Sequence, residues 1–436
     1  MSLIVTKFGG SSLADAGQIT KMKNIITANP DRRYVVPSAP GRRFDGDEKV
    51  TDLLYKLAEE KDPQHSRVFE ILTERFCGIR DELGLSTDIE TELQKIAEAL
   101  HNGASTDYAA SRGEYLNGLL IADYLGFDFI DPKDIICFNR HGLYDHAETL
   151  KKCPSVLAQH ERAVIPGFYG SLPDGEIKTF SRGGSDITGS IVACCAQASL
   201  YENWTDVSGF LKADPRVVDQ PQKIDVITYR ELRELSYMGA TVLHEDAIFP
   251  VLQVAIPIQV RNTNHPECEG TLIVPSISKE TESKENITGI AGKKGFTIVS
   301  IEKNGMNAEI GFARRVLSCL EKFGISFEHM PSSIDTLCVV IEDSQVEDHL
   351  WDLVQEIHTV CEPDSVEVYN DMALIATVGR NMIRKIGISA KLFGALAEQN
   401  VNVRMIDQGS SEMNIIVGVE NSDFETAVRA IYQALV

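Results

Sequence analysis

Lys7, Gly9, Gly10, Ser11 and Ser12 stand together in the stretch 3-LIVTKFGGSS-12. A cation, two glycines and two hydroxyls directly after the apolar run Leu3-Ile4-Val5 are means of holding a phosphate. Glycine lets backbone approach a ligand closely and offers its free N–H groups to an anion. The order departs from both G-x-x-x-x-G-K-[ST] and G-x-G-x-x-G, since the lysine precedes the glycines and no third glycine follows. Taken alone, the stretch reads more readily as a plain strand-to-helix turn. Four more stretches carry polar chemistry. In 111-SRGEYLNG-118 a helix start would put Glu114 on its first turn, where the helix dipole alone favours an acid. In 181-SRGGSDITGS-190, Ser185 and Asp186 are placed to cap the following helix. Arg182 beside a glycine pair at a helix N-terminus also makes an anion site with a bidentate clamp. The stretch 205-TDVSGFLKADPR-216 sets polar groups after a strand, with a turn at Asp214-Pro215. Finally, 239-GATVLHEDA-247 reads as a helix start carrying His244, a lone histidine in a position more often structural than catalytic.

The elements that must position these groups follow from periodicity. Leu3–Val5 and Tyr34–Val36 read as short buried strands, and Asp15 with Gln18 resembles a capping box before a helix ended by Asn29-Pro30. Residues 48–125 read as almost wholly helical, with faces at Leu53, Leu54 and Leu57, at Val68, Ile71, Leu72, Phe76 and Ile79, and at Leu116, Leu119 and Leu120. Strands return near Phe127–Ile130, Ala163–Phe168, Ile177–Phe180, Leu200–Trp204 and Ile256–Val260, with helices between. Such alternation predicts an α/β class with an open sheet covered on both faces. A polar change of composition over 275–295 reads as a linker or exposed loop.

Beyond it the chain repeats itself. FARRVLSCLEKFGI at 312–325 and ISAKLFGALAEQNV at 388–401 are apolar at matched positions, offset by 76 residues. The same offset pairs Met306 with Met382, Gly311 with Gly387, and the alternating strand Leu337-Val339-Ile341 with Met413-Ile415-Val417. Two copies of a strand, helix, strand, strand unit predict a duplicated α+β module.

The 436 residues allow two to four units, and 43% hydrophobic with 24% charged residues describes an ordinary soluble globular chain. A net charge of −22 argues against nucleic acid and anionic membrane as partners. The nine cysteines form no C-x-x-C framework, and neither a leader nor a membrane-spanning run is evident, so a reducing, cytoplasmic location is expected.

In order, KFGGSS (7–12), SRGE (111–114), SRGGSD (181–186), TDVSG…ADPR (205–216) and GATVLH (239–244) resemble the aspartokinases, within the amino-acid kinase superfamily. The tail resembles the tandem ACT domains through which such enzymes sense end-product amino acids. The resemblance spans essentially the whole chain. It implies an amino-acid kinase fold, an open and mostly parallel sheet between helices, followed by two ferredoxin-like α+β ACT modules. The expected limits are 1–285 for the kinase domain, with its helical segment at about 52–125, then 294–365 and 366–436 for the modules, the second completed by a strand from 286–293. The implied reaction moves the γ-phosphoryl of ATP, with Mg²⁺, to the side-chain carboxylate of L-aspartate, the first step toward lysine, threonine and methionine.

Carried over residue by residue, Lys7 and Asp186 are the catalytic pair, Asp186 orienting the lysine. Thr51, Glu114, Arg182, Gly183 and Ser185 would bind aspartate, Arg182 at its α-carboxylate and Glu114 at its ammonium. The nucleotide falls to Lys7, Phe8, Gly9, Gly10, Thr205, Asp206, Phe210, Lys212, Arg216 and Thr241, and no protein metal ligands are implied. Thr241 stands where the family has lysine, Glu245 where it has proline, and Leu211 where it has an aromatic, with Lys212 placed to restore the lost charge. An effector pocket is expected at Met306, Glu309, Ser326, Phe327, Glu328, Ser332 and Ser333, with lysine favoured over threonine because Glu328 is acidic. The ACT pair further implies a homodimer or a dimer of dimers. The alternatives are a kinase for another acidic amino acid, opposed by SRGE with the ACT pair, and a catalytically impaired sensor, opposed by intact Lys7, Arg182 and Asp186. A fused homoserine dehydrogenase is not expected from the length.

Overall fold

The computed structural model describes residues 2–436 apart from Arg182, 241–242, 244–248, 278–285 and Ser410, with backbone only at 384. The predicted contributions of Arg182, Thr241 and His244, and residues 278–285 of the predicted linker, lie outside the described residues; the end of that expected linker, from Gly289, is instead part of a long strand, because GIAGKKGFTIVSIE pairs along its length in an antiparallel sheet. The chain divides into two units: Met1–Phe210 with Asp225–Tyr229 and Val242–Lys279, and Leu211–Ile224 with Arg230–Thr241 and Glu280–Val436.

Along the first stretch come β1 (Ile4–Phe8), α1 (Ala16–Thr27) and β2 (Arg32–Pro37), then the helices α2 (Val50–Glu59), α3 (Arg67–Leu83), α4 (Ile89–His101) and α5 (Thr106–Leu125). There follow β3 (Asp128–Phe129), α6 (His146–Leu157), β4 (Ala163–Val164), the hairpin β5 (Tyr169–Ser171) and β6 (Ile177–Thr179), α7 (Gly184–Cys195) and β7 (Leu200–Thr205). After these lie β8 (Val226–Thr228), α8 (Tyr229–Tyr237), α9 (Phe249–Gln253), β9 (Ile258–Asn262) and β10 (Thr271–Val274). Eight strands form one sheet in the order β3-β4-β2-β1-β7-β9-β10-β8, with only β9 and β10 antiparallel. β1 lies between β2 and β7 and is buried along its whole length, as its unbroken IVTKF run requires of a parallel strand covered on both faces. Phe8, Met22, Leu54, Phe76, Leu116 and Trp204 belong to one core cluster that joins the sheet to α1–α5.

Serine and aspartate hydroxyl or carboxylate oxygens set the helix starts: Ser66 accepts from Phe69 N, Asp88 from Thr91 N, and Ser105 from Tyr108 N. The last of these overturns one expectation. α5 begins at Thr106, not at SRGE, so Glu114 sits inside the helix and the dipole at its first turn does not explain it.

The second unit holds β11 (Gly289–Glu302), α10 (Phe312–Lys322), β12 (Thr336–Glu342), α11 (Asp343–Val346), α12 (Leu350–Cys361), β13 (Ser365–Val378), α13 (Ile388–Glu398), β14 (Met405–Asp407), β15 (Asn414–Glu420) and α14 (Phe424–Leu435). Its antiparallel sheet runs β12-β11-β13-β15-β14. β11 and β13 pair from Gly289 with Val378 to Glu302 with Ser365, so both run through the whole sheet. α10 and α12 cover one end around Val299, Val316, Leu337 and Leu353; α13 and α14 cover the other around Ile375, Leu392, Val417 and Ile431. The 76-residue offset carries α10 onto α13, each entered through a left-handed glycine, Gly311 (φ 83°) and Gly387 (φ 93°). Each copy also has a second helix, α12 or α14, that the strand, helix, strand, strand reading lacks; a single helix covers too little of the sheet face. Among the described residues no helix is long and apolar enough to cross a membrane.

Candidate active site

The register of two parallel strands creates the centre of the site. β1 and β7 pair with Lys7 opposite Asn203, which puts both side chains on one face of the sheet. Both meet Asp186 of α7: Lys7 Nζ lies 2.6 Å from its Oδ1, and Asn203 Nδ2 donates to the same oxygen at 2.8 Å. Tyr201 donates to the Asp186 carbonyl at 3.1 Å. Lys7 is thus buried, ion-paired and aimed. α7 starts from Gly183 in the left-handed region (φ 59°), with no side-chain cap. Ser185 and Asp186 therefore do not cap it, contrary to one sequence reading; both lie within its first turn and line the cavity described below. The turn before β5 packs directly on this start: a Cβ at Gly184 would come 2.5 Å from Phe168 Cδ2, and one at Gly167 2.5 Å from Ser185 Oγ. Phe168 itself holds a positive φ of 82°, a strained backbone at the cavity wall.

After β1 the glycine loop is fixed by backbone bonds. Gly9 N donates to Trp204 O and Ser12 N to Gly9 O, both at 3.0 Å. Neither Gly10 N–H nor Ser11 N–H has a hydrogen-bond partner among the described residues, so both stay available to an anion. A second loop presses against them. Gly41 N donates to Gly10 O at 2.8 Å, and a Cβ on Gly41 would lie 2.4 Å from the Gly10 carbonyl carbon. Phe8 stacks on Trp204 in the core, so it offers a nucleotide only backbone.

A cavity of about 340 Å³ brings together Lys7, Thr51, Glu114, Gly183, Ser185 and Asp186, residues far apart in the chain. Ser38, Lys49, Asp52 and Phe168 line it too, and sequence reasoning did not single them out. Asn117, the asparagine of SRGEYLNG, explains part of that motif: its Nδ2 holds the Ser38 carbonyl at 2.7 Å. Glu114 is buried with its Oε2 unpartnered among the described residues, and burial pushes its carboxyl up to about 8 against the pull of neighbouring backbone groups and Arg112. A cation brought into the cavity would favour the ionised form of this acid and so offset the cost of its burial.

The other expected nucleotide residues have duller surroundings. Thr205 donates to Asp206 at 3.2 Å, and Phe210 is buried, its N–H bound to Thr271 Oγ1. Lys212 is also buried, with Nζ on Gln222 Oε1 at 3.1 Å, and Arg216 is clamped by Asp214. Both belong to the second unit. No group of three or more His, Cys, Asp or Glu suited to a metal occurs among the described residues.

In the second unit Met306 packs into the core and Glu309 is held by Lys303 and Arg315. The Ser326 N–H and hydroxyl both reach Gln345, Phe327 is exposed, and Ser333 N–H bonds Thr336 O. Ser332 forms a bridge with Leu337. Glu328 donates its backbone N–H to Val340 and has no ion-pair partner among the described residues.

The chain is similar to known proteins along its whole length. The amino acid kinase family matches residues 2–262, and the ACT domain matches 375–435. Aspartokinase 3 of Bacillus subtilis (strain 168) is 39% identical, the match covering 98% of each chain. The crystal structure of Clostridium acetobutylicum aspartate kinase superposes with a TM-score of 0.91 at 50% identity, covering 100% of this chain and 99% of that one. E. coli aspartokinase III, 28% identical, gives 0.76 in its complex with aspartate and ADP, over 100% of both chains. It gives 0.75 in its complex with lysine and aspartate, over 99% of both. A glycine loop with an aimed lysine, a buried acid facing the same cavity and end-to-end likeness to these proteins place the chain among the aspartokinases of the amino acid kinase family: it is an aspartate kinase, a phosphotransferase whose acceptor is a carboxyl group.

Proposed function

We propose that ATP is the phosphoryl donor, that the 340 Å³ cavity holds L-aspartate beside Lys7, and that lysine inhibits the enzyme through the first ACT module. The observation that carries the reading is the Lys7–Asp186 pair at 2.6 Å, its lysine buried near the end of β1 where the glycine loop begins. The side chain of aspartate has a reference pKa of about 3.9, so the nucleophile is already ionised at neutral pH and needs no base. Positioning and charge neutralisation are the demands that remain. Lys7 supplies a fixed cation to the moving phosphoryl, Asp186 keeps that cation in place, and Gly10 and Ser11 N–H groups receive phosphate oxygens. Glu114 takes the ammonium of aspartate, and Arg182 is assigned its α-carboxylate. With no acidic cage among the described residues, Mg²⁺ would be held by the phosphates it neutralises.

For the effector, E. coli aspartokinase III has been solved with lysine, and Glu328 offers a carboxylate that no cation among the described residues takes. Glu309 is less suited to this role because Lys303 and Arg315 occupy it. Ile310, Ile334, Trp351 and Ile386 stand exposed on the regulatory unit, apolar area that a homodimer through the ACT modules would cover. The test is hydroxylamine trapping of the acyl phosphate with Mg·ATP and aspartate or glutamate, with and without lysine or threonine. Hydroxamate from aspartate alone, suppressed by lysine, is the expected result. Equal yield from glutamate, or suppression by threonine only, would refute the substrate or the effector assignment respectively.

A further inference from the structure

Lys49 is an exposed lysine in the charged run DGDEKV, yet it lines the same cavity as Lys7, Thr51 and Asp186. Its position is built. Val50, the next residue and the first of α2, is completely buried, and α2 is seated on α5 where Gly113 leaves room: a Cβ there would meet Val50 Cγ1 at 3.1 Å and Leu54 Cδ1 at 3.3 Å. Gly113 directly precedes Glu114, so the mouth carrying Lys49 and the wall carrying Glu114 are fixed to each other. The loop leading to Lys49 is stapled as well. Asp47 accepts from Arg43 Nε and Nη2, both at 2.9 Å, and lies 3.2 Å from Arg75 Nη1. Arg75, buried in the helix layer, also donates to the carbonyls of Glu48 and Gly41. Gly41 in turn rests on Gly10. Two arginines on one aspartate therefore tie the loop that delivers Lys49 to the loop that cradles phosphate.

The charges in the cavity say what Lys49 is for. Asp52, Glu114 and Asp186 face Lys7 and Lys49. Lys7 is already spoken for by Asp186, whereas Lys49 has no acidic partner among the described residues. Aspartate brings two carboxylates, and phosphoryl transfer forces one of them against an anionic phosphoryl group. We propose that Lys49 is a substrate-binding residue whose ammonium meets the side-chain carboxylate of aspartate, and that the Arg43–Asp47–Arg75 staple positions it. This rests on aspartate occupying the cavity.

The test is steady-state kinetics of the full chain bearing Lys49→Met, Lys49→Arg or Glu114→Gln, with melting temperatures alongside. Lys49→Met is expected to lower kcat/KM for aspartate about tenfold or more while shifting KM for Mg·ATP less than about threefold, the scale of a lost charge-assisted hydrogen bond. Lys49→Arg should recover most of the loss. Asp47→Asn should lower kcat/KM for aspartate in the wild-type background but add little to Lys49→Met, which a general loosening of the fold would not produce. A Lys49→Met enzyme within about twofold of wild type for aspartate, or one impaired equally toward both substrates and not rescued by arginine, would overturn the assignment. Glu114→Gln separates the two ideas: if it leaves KM for aspartate unchanged, the placement of aspartate itself is wrong.

Discussion

Glu114 is the residue whose chemistry the fold alters most. In solution its carboxyl would be ionised at neutral pH; buried in α5 with one oxygen unpartnered among the described residues, it is pushed up to about 8 by loss of hydration. Because the folded-state pKa is raised, the native protein holds this proton more tightly than the unfolded chain. The stability it contributes is full below about 4.5 and is lost as pH rises through about 8. An incoming ammonium reverses the preference and favours the carboxylate, so binding aspartate near pH 7 should expel a proton. Calorimetric titration in two buffers of different ionisation enthalpy should show that release, and Glu114→Gln should abolish it while weakening aspartate. The same substitution should flatten the fall in stability between pH 5 and 8, since an amide mimics the neutral acid. Lys7 obeys a simpler rule. It is the one lysine held by an acid in this cavity, and Lys7→Met should cost about 10²–10³-fold in kcat, as loss of a preorganised charge at a reacting centre does elsewhere. A loss below about tenfold would remove Lys7 from the phosphoryl path.

Between elements, the closest packing lies at the two glycine loops. A Cβ at Gly41 would come within 2.4–2.6 Å of Gly10 and Ser11 backbone, and only backbone stands there to give way. Gly41→Ala should therefore push the phosphate loop outward, and a shift of about 1 Å costs about 10²-fold in rate. Wild-type kcat with alanine present would show that the two loops are not coupled. Under the sheet, Arg32 grips Glu202 with bonds of 2.8 and 3.0 Å, and Trp204 Nε1 adds a third at 2.8 Å. Both charges are buried, so Glu202→Ala should destabilise the first unit by about 3–5 kcal/mol in denaturant unfolding, with little dependence on salt. Element structure was legible where a single pattern prevailed. The apolar runs of β1, β2 and β7 and the leucine faces of α2 and α5 could be read directly, because burial on both faces or on one stripe leaves a plain signature. β8 and β10 went unread, and they pair with each other only across the intervening helices and β9, a relation no local pattern shows. SRGE misled because an acid near a helix start fits the dipole equally well, whereas the helix begins at Thr106 and Gly113 lets α2 approach α5, a tertiary reason no local pattern reveals. Lys49 went unnoticed for a related cause. Among so many charges an exposed lysine reads as surface, and only the fold shows which cavity it borders.

The chain joins an amino acid kinase unit to a duplicated ACT sheet, and if the second senses an amino acid as proposed, thermodynamics restricts how the two communicate. Lysine can inhibit only if it binds the less active state more tightly, and the coupling must then be reciprocal. If saturating lysine raises the dissociation constant of aspartate by some factor, saturating aspartate must raise that of lysine by the same factor, in the range of about 5–150 for coupling free energies of about 1–3 kcal/mol. Titrating each ligand in the presence and absence of the other checks this directly, without reference to rates. If the first module receives lysine at Glu328 as proposed, Glu328→Gln should weaken lysine in the absence of aspartate about tenfold or more, because a charge-assisted contact to the effector ammonium would be lost. The lysine-induced rise in melting temperature should shrink with it at any fixed lysine concentration, as mass action requires. The repeat gives the second module no equivalent contact to fall back on, since at the 76-residue offset Arg404 stands where the first module has Glu328, and Lys385 where it has Glu309. A charge-reversed copy cannot receive a lysine side chain in the same way. Residual high-affinity binding of lysine to Glu328→Gln would therefore place the effector somewhere other than the first module's acidic loop.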